Sequence, residues 1–166
     1  MSEQSPLTIC PATEADIPVV HDMIMALADN LGYAHEAVAT QADLHQALFG
    51  ERPQAEVVVA WVEGEAAGFA LFYNNYSTFR GQCGVHLEDL FVLPAFRSGG
   101  LGRRLLAHMA RLTRERGCGR LEWWALTADE RANAFYRRVG ATVQDEWSVY
   151  RLKGDALAAL AGEAPR

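Results

Sequence analysis

The chain has 166 residues, half of them apolar and 22% charged, with a formal net charge of −6. This length and composition predict one globular domain over residues 1–166, with an ordinary hydrophobic core. The negative charge argues against nucleic-acid partners. The lack of a long apolar run or signal-peptide core argues against a membrane and indicates a cytoplasmic protein.

The first half of the chain predicts a strand, two helices and a hairpin. Residues 6–10 read as the strand. Thr13 with Asp16, and Thr40 with Asp43, both resemble capping boxes, which mark helix starts. Apolar residues recur at helical spacing after the first box. Residues 55–62 and 68–76 then predict two strands joined by a turn.

The second half predicts alternating strands and helices. In chain order these are a fourth strand at 84–93, a long helix from Leu101 that stops at Gly117, a fifth strand at 120–126, a helix at 129–140, a last strand at 142–152 and a short Ala/Leu-rich tail. The order predicts a mixed, mostly antiparallel sheet with flanking helices, in the α/β or α+β class.

The stretch "HLEDLFVLPAFRSGGLGRRLLAHMARL", residues 86–112, places glycines between a strand and a helix. Such a turn exposes the first N–H groups of the helix, and the helix dipole adds positive potential. The combination suits a phosphate or pyrophosphate, and Arg97, Arg103 and Arg104 add charged donors. Neither the Walker pattern nor the dinucleotide pattern is present. A flexible turn with solvated arginines is the alternative.

The pattern R-x-x-G-x-G at residues 97–102 resembles the acetyl-CoA pyrophosphate loop of the GNAT N-acetyltransferase superfamily. "LEDLFVLPAFRSGGLG" and "AFYRRVGA" together resemble its diamine (spermidine/spermine) and thialysine acetyltransferase branch. The resemblance runs from the first strand to "VYRL". It implies the GNAT acyl-CoA N-acyltransferase fold, with a central, mostly antiparallel sheet whose fourth and fifth strands splay. It also implies acetyl-CoA as the acetyl donor and a homodimer.

The resemblance implies a set of residues around the donor. Main-chain N–H groups of residues 97–102 would hold the pyrophosphate. The main chain of residues 91–93 would pair with the pantetheine arm, and an N–H near Phe91 or Val92 would face the thioester oxygen. Asp129 stands where many relatives have an asparagine that touches CoA. The expected contacts are Phe91, Val92, Leu93, Arg97, Ser98, Gly99, Gly100, Leu101, Gly102, Arg103, Asp129 and Tyr136.

The acceptor side needs a base, because an alkyl amine is almost fully protonated at pH 7 and only the neutral amine attacks a thioester. Glu88 matches the family's carboxylate base, and Asp89 is expected to supply a second charge to the substrate. Adjacent strand residues should point to opposite faces unless a bulge intervenes. Tyr136 matches the family's tyrosine near the cofactor sulfur and is expected to be the general acid. Tyr33 and Phe79 are expected substrate contacts.

The sequence therefore predicts an N-acetyltransferase that acts on a primary amine of a small cationic substrate, a polyamine, a diamine or a lysine-like amino acid. Direct transfer in a ternary complex is expected. One alternative is a non-catalytic acyl-CoA-binding or sensing domain. Another is a GNAT enzyme that acts on a protein N-terminus or an aminoglycoside.

Cysteine and histidine spacing predicts neither a disulfide framework nor a metal site. Cys10, Cys83 and Cys118 are odd in number, widely scattered and form no C-x-x-C pair. His86 and Glu88 form H-x-E, but the P-C-x-x-C partner of a zinc deaminase is missing.

Overall fold

The computed structural model describes residues 7–165, which divide into two compact units at Leu126 and Thr127. The first unit contains β1 (Leu7–Pro11), α1 (Ile17–Leu31), α2 (Gln41–Phe49), β2 (Glu56–Val62), β3 (Glu65–Ser77), β4 (Gln82–Val92), α3 (Leu101–Glu115) and β5 (Leu121–Trp123). The second unit contains α4 (Glu130–Arg138) and α5 (Gly154–Ala161). Within residues 7–165, no helix has the length and apolar character needed to cross a membrane.

The five strands form one sheet in the order β1-β2-β3-β4-β5. The first four strands pair antiparallel, and β4 pairs with β5 in parallel. Glu63 and Gly64, with φ values of 53° and 84°, make the two-residue turn between β2 and β3. The mixed, mostly antiparallel sheet with flanking helices confirms the predicted fold class.

Helices cover the two faces of this sheet. On one face, α1 and α2 pack on a core cluster made of Ile17, Val20, Met23, Leu44, Leu48, Val57, Val59, Phe69 and Phe91. Helix α3 packs on the other face, because side chains alternate along a strand and Gly68, next to Phe69, lies against Leu105. A Cβ on Gly68 would lie 2.5 Å from the Phe91 carbonyl oxygen and 3.3 Å from Leu105 Cδ1. Glycine at position 68 therefore allows both β4 and α3 to lie close to β3.

Strands β4 and β5 part after a short contact. The parallel pairing joins residues 85–87 to residues 121–123 and ends at the pair Leu87 and Trp123. Strand β4 continues to Val92, so this part of it has no strand on its β5 side among the described residues. The splay implied by the family resemblance is thus present, and it leaves an open edge on β4.

The last strand expected at residues 142–152 is absent, so that prediction is wrong. Residues 141–153 contain no strand, and nearly all of them are exposed. The segment has the alternating apolar and polar residues of a strand, but a strand also needs a neighbouring strand to share its main-chain hydrogen bonds. The fifth strand is shorter than expected for the same reason. Residue 6 of the expected first strand lies outside the described residues.

Cys83 and Cys118 form a disulfide, with their Cα atoms 4.6 Å apart, so the prediction of no disulfide is wrong for this pair. Helix α3 brings the chain back so that its end meets the start of β4. Gly119 N donates to the Cys83 carbonyl oxygen at 2.9 Å, and Val85 N donates to the Arg120 carbonyl oxygen at 2.9 Å. The bond therefore joins β4 to the segment before β5, at the end opposite to the splay.

Candidate functional site

A β-bulge lies at the acid pair of β4. Leu71 of β3 pairs with Asp89, but the next residue, Phe72, pairs with Leu87. Glu88 lies between these two pairs as the extra residue of β4. A bulge of this kind disturbs the alternation of side chains along a strand.

The bulge places both carboxylates on the sheet face that α1 and α2 cover. Cross-strand partners point to the same face, so Asp89 shares the face of Leu71, which packs on the core cluster. His86 pairs with Tyr73, two residues beyond Leu71 and hence on that face too. Glu88 Oε2 lies 3.7 Å from His86 Nε2. Glu88 and Asp89 therefore share a face, which is the exception that the sequence prediction made for a bulge.

The two carboxylates differ in exposure. The Glu88 side chain is 51% exposed, whereas Asp89 is only partly accessible. Burial raises the pKa of Asp89 to about 6, and the nearby charge of Glu88 contributes to the rise. Burial and repulsion disfavour the second negative charge of such an acid pair, and a cation bound beside it stabilises that charge.

The open edge of β4 presents the main chain of Val92. Leu93 N donates to the Ala67 carbonyl oxygen of the β3 side at 2.9 Å. Antiparallel pairing alternates, so the main-chain groups of Phe91 also face β3, while those of Val92 face the opposite edge. Of the two residues expected to offer an N–H to the thioester oxygen, Val92 has the appropriate direction.

Arg97 is engaged within the protein. Its Nε donates to the Val92 carbonyl oxygen at 2.9 Å, and one terminal nitrogen donates to Asn30 Oδ1 at 3.1 Å. Its guanidinium carbon lies 5.4 Å from the centre of the Phe91 ring. Its main-chain N–H donates to the Pro94 carbonyl oxygen at 3.2 Å. Arg97 therefore braces the end of β4.

The glycine turn after Arg97 is open. Ser98 and Gly100 adopt left-handed backbone conformations, with φ values of 73° and 78°. A Cβ built on Gly99 or on Gly100 would have no neighbour within 4 Å. The turn therefore leaves the backbone accessible to a ligand.

Helix α3 begins directly after this turn with donors that its own backbone does not use. Arg104 N donates to the Gly100 carbonyl oxygen at 3.1 Å, which is the first bond into the helix. The N–H groups of residues 101–103 precede that bond, so they have no acceptor within the helix. Arg103 and Arg104 are exposed beside them. Unpaired N–H groups at a helix start, with basic side chains beside them, form the kind of place where proteins bind anions.

Tyr136 and Asp129 lie in the second unit. Asp129 is the N-cap of α4, where its carboxylate accepts a hydrogen bond from Ala132 N at 2.9 Å. An aspartate at this position caps as well as an asparagine does. Burial raises the pKa of Tyr136, and the charge of Asp129 raises it further. The phenol therefore stays protonated at neutral pH.

The two other expected substrate contacts lie at the surface of the first unit. Tyr33 follows α1 and stacks on His35, with ring centres 6.4 Å apart. Phe79 is 95% exposed in the turn between β3 and β4. It lines a cavity of about 480 Å³ whose lining includes neither Glu88 nor Asp89. The structure thus brings neither side chain into the bulge.

Sequence reasoning missed His86 as a neighbour of the acid pair. The H-x-E spacing on a strand indicates two side chains on one face, and this signal was available in the sequence. His86 is 5% exposed beneath Glu88. Among residues 7–165, no group of three His, Cys, Asp or Glu side chains is arranged to hold a metal ion.

Comparisons with known proteins bear on the family of the chain. The acetyltransferase (GNAT) family model matches residues 22–141. A thialysine N-epsilon-acetyltransferase of Mus musculus is 30% identical, covering 91% of this chain and 95% of that protein. An L-ornithine N5-acetyltransferase of Arabidopsis thaliana is 29% identical, covering 90% and 85%. The solved structure of an integron cassette protein from V. cholerae has a TM-score of 0.80 at 26% identity, covering 93% and 97%.

The matched residues include the bulge, the open edge of β4, the glycine turn and α4. GNAT acetyltransferases use acetyl-CoA as their acetyl donor. The resemblance found in the sequence motifs is confirmed, and the protein is an acetyltransferase enzyme. The chain belongs to the acetyltransferase (GNAT) family.

Proposed function

We propose that this enzyme transfers the acetyl group of acetyl-CoA to a primary amine of a small cationic substrate, a polyamine, a diamine or a lysine-like amino acid. Transfer is direct, within a ternary complex. The observation that supports the proposal most is the bulge, which puts Glu88 and Asp89 on one face beside the open edge of β4. Relatives named for thialysine and for ornithine support an amine acceptor.

The donor site runs from the start of α3 to the open edge of β4. Acetyl-CoA supplies an activated thioester. We assign its diphosphate to the N–H groups of residues 101–103 and the open turn, with Arg103 and Arg104 adding positive charge. Leu93 N donates a hydrogen bond to the Ala67 carbonyl oxygen on the β3 side, so the Val92 N–H faces the open edge. We therefore assign the Val92 N–H as the donor to the thioester oxygen.

The acid pair receives the amine. An alkyl amine has a pKa of about 10.4, so the neutral form costs about 4.6 kcal/mol at pH 7. Glu88 accepts the proton of the ammonium group, directly or through water. Asp89 faces a second positive charge of the substrate, which offsets the repulsion from Glu88 that helps to raise the Asp89 pKa.

Tyr136 is the group that we assign as proton donor to the leaving thiolate. A tyrosine has a pKa of about 10 and a thiol of about 8.5, so transfer in water is uphill by about 2 kcal/mol. The raised pKa of Tyr136 keeps the phenol protonated but widens this gap. Apolar surroundings raise the thiol pKa as well, which narrows the gap again.

A substrate screen tests the proposal. The protein is incubated with acetyl-CoA and one amine at a time, and free thiol is measured. Because two carboxylates face the acceptor, we expect kcat/KM at least tenfold higher for diamines, polyamines, thialysine and ornithine than for monoamines of equal length. Binding of acetyl-CoA without thiol release with any amine would indicate a sensing domain. A preference for peptide N-termini or aminoglycosides would replace the proposed acceptor class.

Replacement of Asp89 by asparagine tests the charge of the half-buried acid. The folded state raises the pKa of Asp89 from 3.8 to about 6. Folding therefore favours the protonated acid, and stability falls as pH rises through this window. Above it, Asp89→Asn should raise the free energy of unfolding by about 3 kcal/mol, since an amide has no charge to bury. Near pH 4 the two proteins should be alike in urea unfolding.

The same variant should lose its preference for diamines over monoamines, because the second negative charge is gone. The exposed Asp22→Asn variant is the control and should change neither property. An equal stability gain at pH 4 and pH 8 would contradict the assigned titration. An unchanged diamine preference would contradict the assigned role of Asp89 with the substrate.

Replacement of Tyr136 by phenylalanine removes the assigned proton donor and keeps the ring. We expect kcat to fall by about 100-fold, the usual scale for loss of a general acid. The Kd of acetyl-CoA, measured by calorimetry, should change less than threefold. Tyr76→Phe is the control, because Tyr76 is 63% exposed on β3 and has no assigned role. A Tyr136→Phe enzyme with unchanged kcat would remove the acid role.

We also propose a homodimer, in which residues 142–152 lie against a second copy. This segment has the alternation of a strand but is unpaired, with Trp147 73% and Tyr150 92% exposed. Exposed apolar side chains grouped in one segment mark interaction surfaces. Sedimentation should give about twice the chain mass of 18.3 kDa at micromolar concentration, and Trp147→Ser with Tyr150→Ser should shift it toward the monomer. A monomeric wild-type protein would contradict the proposal.

A further inference from the structure

His86 is a buried imidazole held in a fixed orientation below the acid pair. Its ring stacks on Tyr73, with centres 5.0 Å apart, and meets the edge of Trp124 at 5.2 Å. These two aromatic walls restrict the ring plane. The result is that Nε2 points toward the bulge, 3.7 Å from Glu88 Oε2.

The contact between His86 and Glu88 depends on pH. A separation of 3.7 Å is too long for a hydrogen bond, so the attraction is electrostatic and exists only while the imidazole is protonated. Histidine is the side chain that ordinarily changes charge between pH 5 and 8. Because His86 is only 5% exposed, water screens its charge less than at the surface.

The other charged groups around His86 have different partners. Glu122 of β5 pairs in register with His86, and its carboxylate accepts from Asn75 at 2.7 Å and lies 3.3 Å from Arg120 Nε. Burial, followed by the charges of Glu88 and Glu122, raises the pKa of Tyr73, so its phenol is neutral. Glu122 thus has a permanent cation beside it, whereas the cation beside Glu88 is one that pH switches on and off.

We propose that His86 is a positioning residue that competes with the cationic amine for Glu88 and so makes amine use depend on pH. The inference rests on the proposed function of Glu88 as the carboxylate that receives the amine. At acid pH, the imidazolium occupies Glu88, and Asp89, whose pKa is about 6, loses its charge in the same range, so the substrate meets less negative charge. At alkaline pH, the neutral ring releases Glu88 to the substrate.

Proton NMR of the histidine rings tests the ion pair without any enzyme assay. The midpoint of the His86 titration is compared in the wild type and in Glu88→Gln, and the spectrum of His86→Phe identifies the resonance. We expect Glu88→Gln to lower the midpoint, because the variant removes the negative charge beside the ring. The ring of His45, which lies 3.1 Å from Glu14, serves as the internal control and should not move. An unchanged His86 midpoint would overturn the inference, whatever the enzyme acetylates.

The pH profile tests the effect on the amine. His86→Phe keeps a ring between Tyr73 and Trp124 but has no charge. With 1,3-diaminopropane as the probe, the ratio of kcat/KM at pH 6 to that at pH 8.5 should be about threefold higher in His86→Phe than in the wild type. Equal ratios would overturn the competition while leaving the proposed function intact. If no amine is acetylated, the proposed function fails, and the NMR titration still decides whether the ion pair exists.

Discussion

The bulge at Glu88 determines what the rest of the site can do. Counted from His86, regular alternation puts Glu88 on the His86 face and would point Asp89 to the face covered by α3. A carboxylate there would lose its hydration without gaining a partner. The extra residue returns Asp89 to the face of Glu88 and His86. It lies directly after Leu87, where the pairing with β5 ends, so the distortion and the parting of the strands coincide.

Strand β4 therefore lies between a region that favours cations and a region that favours anions. Its bulge groups carboxylates that a cation stabilises, and its far end leads into the open turn and the unpaired N–H groups of α3. Arg97 fixes the junction between them by binding the Val92 carbonyl and Asn30. The uneven charge of the sequence has the same sense, because residues 1–94 hold 13 acids and 2 arginines whereas residues 95–166 hold 8 acids and 13 basic residues.

Features set by local sequence could be predicted, and features set by pairing could not. The Thr40 and Asp43 capping box starts α2 as expected, since both of its hydrogen bonds lie within four residues. The order L-E-D-L-F reads the same with or without a bulge, because the register with β3 decides it. Strand alternation at residues 142–152 likewise says nothing about whether a neighbour is present.

Arginine roles show the same limit at the level of one side chain. Arg97 fits a phosphate donor by its place in the motif, yet its guanidinium reaches back to the chain. The partner, Asn30, is 67 residues away in sequence, and no local pattern indicates that contact.

The disulfide between Cys83 and Cys118 holds the splayed strands together at one end. The disulfide holds β4 and β5 together at the end where they are paired, so any widening between the strands must occur at the end that carries the acid pair. The loop that it closes spans 35 residues and includes the glycine turn and all of α3. Thiols stay reduced in the cytosol, whereas oxidising compartments preserve such bonds. The freedom of β4 and β5 to move apart would therefore follow the redox state of the surroundings.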